Sequence, residues 1–305
     1  MTVSITSPIA FLNAIRFSTI DQTQLTRMRY VPNKNVIELI TQSRNSQVFI
    51  RGTLYISQEQ QQSQIITNAP SKISMFTDFS EQNFDFTVPA KQLLRAVQGL
   101  ANLVKFTSPL PPVFKISFPD EDSPFLSLSG AISQLNLILD RDSDIKSFYQ
   151  IHTTTETVDF PYTFSPSTAK FYAVISSFAL FSLIDSLNQS VKLQQTCKII
   201  FTQDGKDMLI QTQDEAGVNV VAQMPNHQVG KSWILESVKF CDFEGVYTFS
   251  GVRAVAGMLK FCAETDAVVV LGCISGEIMF RIPVGQGDRI SGQFVVVLAG
   301  IDADQ

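Results

Sequence analysis

Apolar and polar residues alternate in four short stretches of the chain, and each stretch runs into a segment with apolar residues at every third or fourth position. The first pattern has the period of a half-buried strand, and the second has the period of an amphipathic helix. Ser or Thr followed by Pro or Gly, residues that favour a helix start, ends each stretch. The stretches recur about eighty residues apart, as internal repeats do, at residues 3–8, 84–89, 162–166 and 247–251.

The repeated unit combines one strand, one helix and a run of further strands. A hairpin is the clearest example of the later strands, because residues 197–201 and 207–212 flank the turn pair Asp204-Gly205. The unit is therefore predicted to be β-α-β-β-β. Its four helices are predicted at residues 8–18, 89–104, 167–187 and 252–263.

The polar stretch in the middle of the chain predicts a domain boundary. Residues 141–159 are rich in Ser, Thr and Asp and contain few core-forming side chains. Two β-α-β-β-β units on each side of this stretch would make two domains of ordinary size. We predict an α+β fold with a first domain over residues 1–143, a connector over 144–160 and a second domain over 161–305.

Composition narrows the possible functions. The chain has 305 residues, of which 45% are hydrophobic, so it can bury a substantial core. Lys and Arg number 23 against 28 Asp and Glu, which gives a formal net charge of −5. A globally basic nucleic-acid binder is therefore excluded, and any DNA contact must be confined to one face. The most apolar segment, residues 171–184, is too short to cross a bilayer, so we expect no membrane association.

Residues that could carry enzyme chemistry are few and scattered. The two histidines, His152 and His227, lie in polar segments without a neighbouring nucleophile or metal ligand. No phosphate-binding GxxxxGK[ST] motif is present. We therefore expect no catalytic activity, no cofactor and no metal. The four cysteines show no CxxC spacing and are interpreted as reduced thiols of an intracellular protein, at Cys197, Cys241, Cys262 and Cys273.

Two domains built from duplicated β-α-β-β-β units resemble the proliferating-cell nuclear antigen (PCNA) family of sliding clamps. The resemblance is best at residues 135–140, 247–261 and 292–301. It implies a trimeric ring with strands outside and helices lining a channel for duplex DNA, opened by an ATP-dependent clamp loader. The ending over residues 278–299 is similar to subunits of the heterotrimeric DNA-damage checkpoint clamp. A nuclear protein with two different partner subunits is then expected.

Basic side chains recur on the predicted helices, where the resemblance implies a DNA-facing surface. Lys91 and Arg95 share one helical face with Gln98 and Asn102, while the apolar residues form another. The third helix departs from the pattern, because Lys170 is its single basic residue. The predicted DNA-facing residues are Arg16, Lys91, Arg95, Lys170, Arg253 and Lys260.

The resemblance also implies subunit contacts and a docking surface. Ring closure through backbone pairing of edge strands would involve residues 134–139 of the first domain and 217–224 of the second. The residues assigned to these contacts are Leu135, Leu137, Leu139, Val218, Val220 and Ala222. Repair or signalling proteins would dock on the connector and the C-terminal strand, at Ile145, Phe148, Tyr149, Ile151, Ala299 and Ile301.

Other functions fit parts of the same pattern. A replicative PCNA-type homotrimer and a viral polymerase processivity factor would share the fold, although the net charge of −5 disfavours the second. A β-rich adaptor without DNA contact would leave the helical basic residues facing solvent. The mass of the assembled particle distinguishes homotrimer, heterotrimer and monomer.

Overall fold

Four α-helices and nineteen strands occupy the part of the chain that the computed structural model describes. The described residues are 2–5, 8–19, 24–43, 47–56, 71–72, 76–77, 83–103, 113–119, 123–133, 144–163, 167, 169–188, 191–192, 195–202, 207–213, 217–224, 234–239, 242–260, 262, 266–286 and 289–301.

The helices and strands of the first half are β1 (Thr2–Ile5), α1 (Pro8–Phe17), β2 (Leu25–Val31), β3 (Val36–Gln42), β4 (Val48–Tyr55), β5 (Ser71–Lys72), β6 (Phe76–Thr77), β7 (Asp85–Pro89), α2 (Ala90–Leu103), β8 (Val113–Ser117), β9 (Phe125–Ser133) and β10 (Asp144–His152). Those of the second half are β11 (Phe171–Ser176), α3 (Ser177–Asp185), β12 (Thr196–Thr202), β13 (Asp207–Gln213), β14 (Asn219–Met224), β15 (Ile234–Lys239), β16 (Phe243–Thr248), α4 (Phe249–Leu259), β17 (Ala267–Gly272), β18 (Ile278–Gln286) and β19 (Arg289–Leu298).

The chain divides into two compact units. The first unit consists of Met1–Thr41, Gly52–Asp159 and Val284–Gly292, and the second consists of Gln42–Arg51, Phe160–Pro283 and Gln293–Gln305. The principal boundary between the two units thus falls between Asp159 and Phe160. Strands β4 and β19 each contribute residues to both units.

Within each unit the two β-α-β-β-β repeats exchange their first strands. In the first unit, β1 pairs antiparallel with β8 in the order β10-β9-β8-β1-β6, while β7 pairs with β2 in the order β4-β3-β2-β7. In the second unit, β16 joins β14-β13-β12 and β11 joins β17. Each strand that leads into a helix therefore completes the sheet of the other repeat. The predicted α+β fold of four β-α-β-β-β units is confirmed.

Apolar stripes on the helices pack inside each unit. In the first unit α1 packs against α2, with Leu93 and Val97 of α2 buried, and Phe11 of α1 meets Phe76 edge-on at 5.6 Å between ring centroids. In the second unit α3 packs against α4, where Val255 is fully buried. Each such side chain contributes about 1.5–3 kcal/mol of hydrophobic stabilisation.

The helix predicted over residues 167–187 is shorter than expected. Its first part is strand β11, which pairs with β17 at all six positions, and α3 covers only Ser177–Asp185. Residues of β11 alternate between buried and half-buried positions, with Phe171 and Ile175 on the buried side. The dense apolar composition hid this period of two. The strand before α3 is therefore β11 and not the stretch 162–166, of which residues 164–166 lie outside the described residues.

The connector predicted over residues 144–160 is also shorter. Residues Asp144–His152 form β10, which pairs with β9 at nine successive positions. The segment that leaves the first unit therefore begins at Thr153. None of the four described helices is long and apolar enough to cross a membrane.

Candidate nucleic-acid interface and subunit edges

The outward face of α2 carries polar and basic side chains. Arg95, Gln98 and Asn102 are exposed at spacings of three and four, and Lys91 is half-buried on the same side. The opposite face is closed by buried apolar residues such as Leu100. The helical period thus separates a solvated face, which bears two cations, from a face that packs in the core.

Helix α4 repeats this arrangement. Arg253, Gly257 and Lys260 are exposed along one line, with Lys260 immediately after the last helical residue. A Cβ atom at Gly257 would meet no heavy atom within 4 Å, so the surface between the two cations is open. The Lys260 ammonium lies 5.8 Å from the centroid of the Phe181 ring, a cation–π contact.

The other two helices differ in charge. Arg16 is half-buried in the last turn of α1, where a cation is favoured by the partial negative charge of the helix end. Helix α3 contains no basic residue, and its outward side presents Phe178, which is 51% exposed, and Asp185. The prediction that Lys170 lies on the third helix is wrong. Lys170 is exposed just before β11, and its amide donates to the Gly272 carbonyl at 2.8 Å.

Among the described strands, β10 and β14 each form a sheet edge. β10 is the outer strand of the order β10-β9-β8-β1-β6, and β14 is the outer strand of β14-β13-β12-β16. The second predicted edge is thus confirmed as an edge strand. For the first, β10 is an observed edge strand, while the predicted residues 134–139, with Leu135, Leu137 and Leu139, lie outside the described residues.

Exposed apolar side chains occur on or beside both edges. Phe148 on β10 is 63% exposed, Val221 on β14 is 52% exposed, and Val218 just before β14 is 59% exposed. Val220 is half-buried, and Ala222 faces the interior with 9% exposure. The assignment of Val218, Val220 and Ala222 to a subunit contact stays a prediction, and Val221 is the exposed apolar side chain on β14 itself.

The residues predicted to dock partners from the connector belong to β10. Ile145 lies on this strand, Ile151 is buried with 2% exposure, and a Cβ atom at Gly99 of α2 would lie 2.0 Å from the Tyr149 hydroxyl. Tyr149 and Ile151 are therefore packing residues of the first unit. Phe148 points outward instead.

The actual connecting segment is anchored in the first unit by Arg27 on β2. Its guanidinium donates to both Asp85 carboxylate oxygens at 2.7 and 2.6 Å, to the Val158 carbonyl at 3.3 Å, and to the Asp159 carboxylate. Hydrogen bonding to Asp85 is the main reason that the pKa of Arg27 is raised above its ordinary value. Thr154 also donates its amide to the Thr87 carbonyl at 2.8 Å.

The same segment continues onto an apolar surface of the second unit. Phe160 and Tyr162 pack against a buried cluster, with Ala299 at its border. The cluster consists of Phe49, Ala169, Leu271, Met279, Val295 and Val297. After it, Ile301 donates its amide to the Val246 carbonyl at 2.8 Å. Ala299 and Ile301 thus lie just beyond β19 and not on the C-terminal strand as predicted, and their role in partner docking stays a prediction.

Three residues that form or anchor the connecting segment were not predicted from the sequence: Arg27, Phe160 and Tyr162. The alternation in Asp159-Phe160-Pro161-Tyr162 was the available signal. Its two aromatic side chains face the protein while Asp159 and Pro161 are exposed.

The cysteines of the described residues are unsuited to nucleophilic chemistry. Burial raises the pKa of Cys197 and of Cys262 to about 12, and chiefly burial raises that of Cys273 to about 11. The nucleophilic thiolate form is therefore scarce at neutral pH. Within the described residues no group of three His, Cys, Asp or Glu could hold a metal ion.

No family model matches the sequence, and no curated protein matches it. Solved structures do share its architecture. The PCNA2–PCNA3 complex from Sulfolobus tokodaii superposes with a TM-score of 0.66 at 12% identity, and PCNA from Thermococcus kodakaraensis superposes with a TM-score of 0.64 at 11% identity. Each comparison covers 98% of this chain and 99% of the other. The chain has the PCNA-like sliding-clamp fold.

Proposed function

We propose that this chain is a subunit of a ring-shaped sliding clamp that encircles duplex DNA and tethers repair, checkpoint or replication proteins to it. The proposal rests on the distribution of basic side chains over the surface. In a chain with a formal net charge of −5, exposed or half-buried cations recur on the outward faces of α1, α2 and α4. This is the pattern expected of a local phosphate-binding surface on an acidic protein.

The sheet edges support the proposed ring. An exposed edge strand carries unpaired backbone donors and acceptors that pair readily with another strand. We propose that β10 of one subunit pairs with the strand equivalent to β14 of the next. Exposed Phe148 and Val221 would then become buried at the contacts. The two neighbouring subunits are proposed to be different chains, as in a nuclear DNA-damage checkpoint clamp, with an ATP-dependent loader to open the ring.

Reversal of the outward cations tests the DNA-binding surface. The test variant carries three substitutions to Glu at exposed helical cations, namely Arg95, Arg253 and Lys260. The matched control carries the same charge change at exposed lysines outside the four α-helices, namely Lys34, Lys115 and Lys192. Both variants should fold, since exposed substitutions usually change stability by less than about 0.5 kcal/mol.

The readout is retention of the assembled, loaded clamp on circular duplex DNA across a salt series. The helical variant should be retained for a shorter time and show a weaker salt dependence, because about 0.9 counterion is released per phosphate contact. The control should behave as the unmodified chain. Equal retention of the two variants would show that the outward faces of α2 and α4 do not contact DNA.

A further inference from the structure

The outward face of α3 carries aromatic rings where the outward faces of α2 and α4 carry cations. Phe178 is 51% exposed, and Phe181 is half-buried three positions further along the helix. Side chains three positions apart are neighbours on a helix surface, with Cβ atoms about 5–6 Å apart. The two rings therefore form one aromatic strip along α3, and Phe178 is the part of the strip that is most open to solvent.

Cations of α4 lie beside this aromatic strip, because α3 packs against α4 within the second unit. The Lys260 ammonium is 5.8 Å from the centroid of the Phe181 ring. Arg253 is exposed on α4 about two turns before Lys260, and the surface at Gly257 between them is open. Two positive charges thus continue from the aromatic strip along α4.

An exposed ring next to cations is the combination by which proteins bind single-stranded nucleic acid. Unpaired bases stack on aromatic side chains, while the cations contact the phosphates. A duplex offers its phosphates but not its base faces, because each base is stacked between its neighbours and costs free energy to remove. A ring such as Phe178 therefore adds to the binding of unpaired nucleotides and not to the binding of a duplex.

Charge favours a nucleic acid over a protein as the ligand of this face. A single exposed Phe is common on soluble proteins and by itself indicates no ligand. Here the ring is bordered by two cations in a chain with a formal net charge of −5. The acidic residue of α3, Asp185, lies seven positions beyond Phe178, roughly 10 Å along the helix, which exceeds the Debye length of about 8 Å. Phosphates on the α4 side of the ring are therefore largely screened from it.

We propose that Phe178, Phe181, Lys260 and Arg253 form a binding site for unpaired nucleotides, with Phe178 as the stacking platform. Bases of a single strand stack on Phe178, and the backbone phosphates lie over Lys260 and Arg253. This site goes beyond encirclement of a duplex, because it distinguishes exposed bases from paired ones. It rests on the proposed function in one respect, since the same two cations are assigned there to duplex phosphates.

Two probes of equal length and charge test whether the ring stacks on bases. One is a fluorescein-labelled oligothymidylate of about twelve nucleotides, and the other has the same backbone with an abasic site at every position. Binding of each probe to the full chain is followed by fluorescence anisotropy at low salt. Phe178→Ala should weaken oligothymidylate binding at least roughly fivefold and leave abasic binding unchanged. Lys260→Gln should weaken the binding of both probes, because both carry the same phosphates.

Further variants separate stacking from a general apolar effect. Phe178→Trp keeps an aromatic face and should bind oligothymidylate at least as tightly as the unmodified chain. Phe178→Leu keeps an apolar side chain without a ring face and should bind it as weakly as Phe178→Ala. The matched control is Leu235→Ala on β15 of the same unit, where the exposed fraction is 53%. It should bind both probes as the unmodified chain does.

The proposal is overturned if Phe178→Leu binds oligothymidylate as tightly as the unmodified chain, which would indicate an apolar contact surface for a protein partner. It is also overturned if Phe178→Ala changes the binding of the two probes by the same factor or not at all, or if the unmodified chain binds neither probe. These assays contain no duplex, so their failure is distinct from a failure of the cation variant in the retention assay on circular duplex DNA.

Discussion

Replacement of Phe148 by Ala should weaken the association between clamp subunits. A Phe side chain presents roughly 200 Å², so the 63% exposed fraction of Phe148 corresponds to about 130 Å². If the proposed strand pairing at β10 covers most of this area, the loss amounts to about 2–3 kcal/mol at about 25 cal/mol per Å². The dissociation constant should then rise roughly 30- to 150-fold. Sedimentation velocity of the chain, alone and mixed with the other clamp subunits of the same organism, measures the change.

Phe178 on α3 provides a matched control, because it is an exposed Phe on a helix and not on a sheet edge. Its exposed fraction of 51% is close to that of Phe148, so F178A removes a similar apolar area. F178A should leave the sedimentation profile unchanged. If F148A and F178A weakened association equally, the cause would be the loss of any exposed ring and not a contact specific to β10. An unchanged profile for F148A would refute the assignment of β10 to a subunit contact.

Two helix glycines and two buried thiols give further predictions. Gly257→Ala should stabilise the chain by about 1 kcal/mol in urea unfolding, because a Cβ there meets nothing within 4 Å and Ala is the better helix former. Gly99→Ala should lose that gain, because its Cβ would lie 2.0 Å from the Tyr149 hydroxyl and force the ring to move; an equal gain at both sites would contradict this. Burial raises the pKa of Cys197 and Cys262 from 9.0 to about 12, so the folded state keeps protons that the unfolded chain releases. Stability should therefore fall as pH rises from about 9 towards 12, and urea midpoints at pH 8 and 10.5 should differ less in a C197A/C262A variant.

The repeated fold unit was predictable because its signals are local. Strand alternation followed by a helix start gave α1, α2 and α4 close to their observed bounds, and the outward positions of Arg95 and Arg253 follow from the helical period. The exchange of first strands between repeats was not predicted. It depends on pairings between segments such as β7 and β2, which are far apart in the chain and leave no local pattern.

The wrong secondary-structure predictions concern segments whose composition conceals the alternation of buried and exposed residues. Residues 171–184 are apolar apart from three serines, so the strand β11 and the helix α3 merge into one predicted helix. Residues 144–152 are polar enough to resemble a linker, although β10 pairs along its full length with β9. An edge strand has one partner only, and half of its side chains face solvent, so its composition approaches that of a loop. Edge strands are also where subunit contacts would form, so the prediction was weakest where function depends on it.

The charge distribution favours a sliding contact over a tight one. On the outward faces of α2 and α4, the residues next to cations such as Arg95 and Arg253 are small or carry amide side chains. Helix α3 contributes Asp185 and no basic residue. At physiological ionic strength the Debye length is about 8 Å, so exposed charges of this kind act singly and weakly. Few contacts per subunit would give low affinity for an open surface and low resistance to movement along the duplex. In the proposed closed ring, topology would supply the retention that these contacts cannot, and that combination would reconcile a net acidic chain with the proposed DNA-bound function.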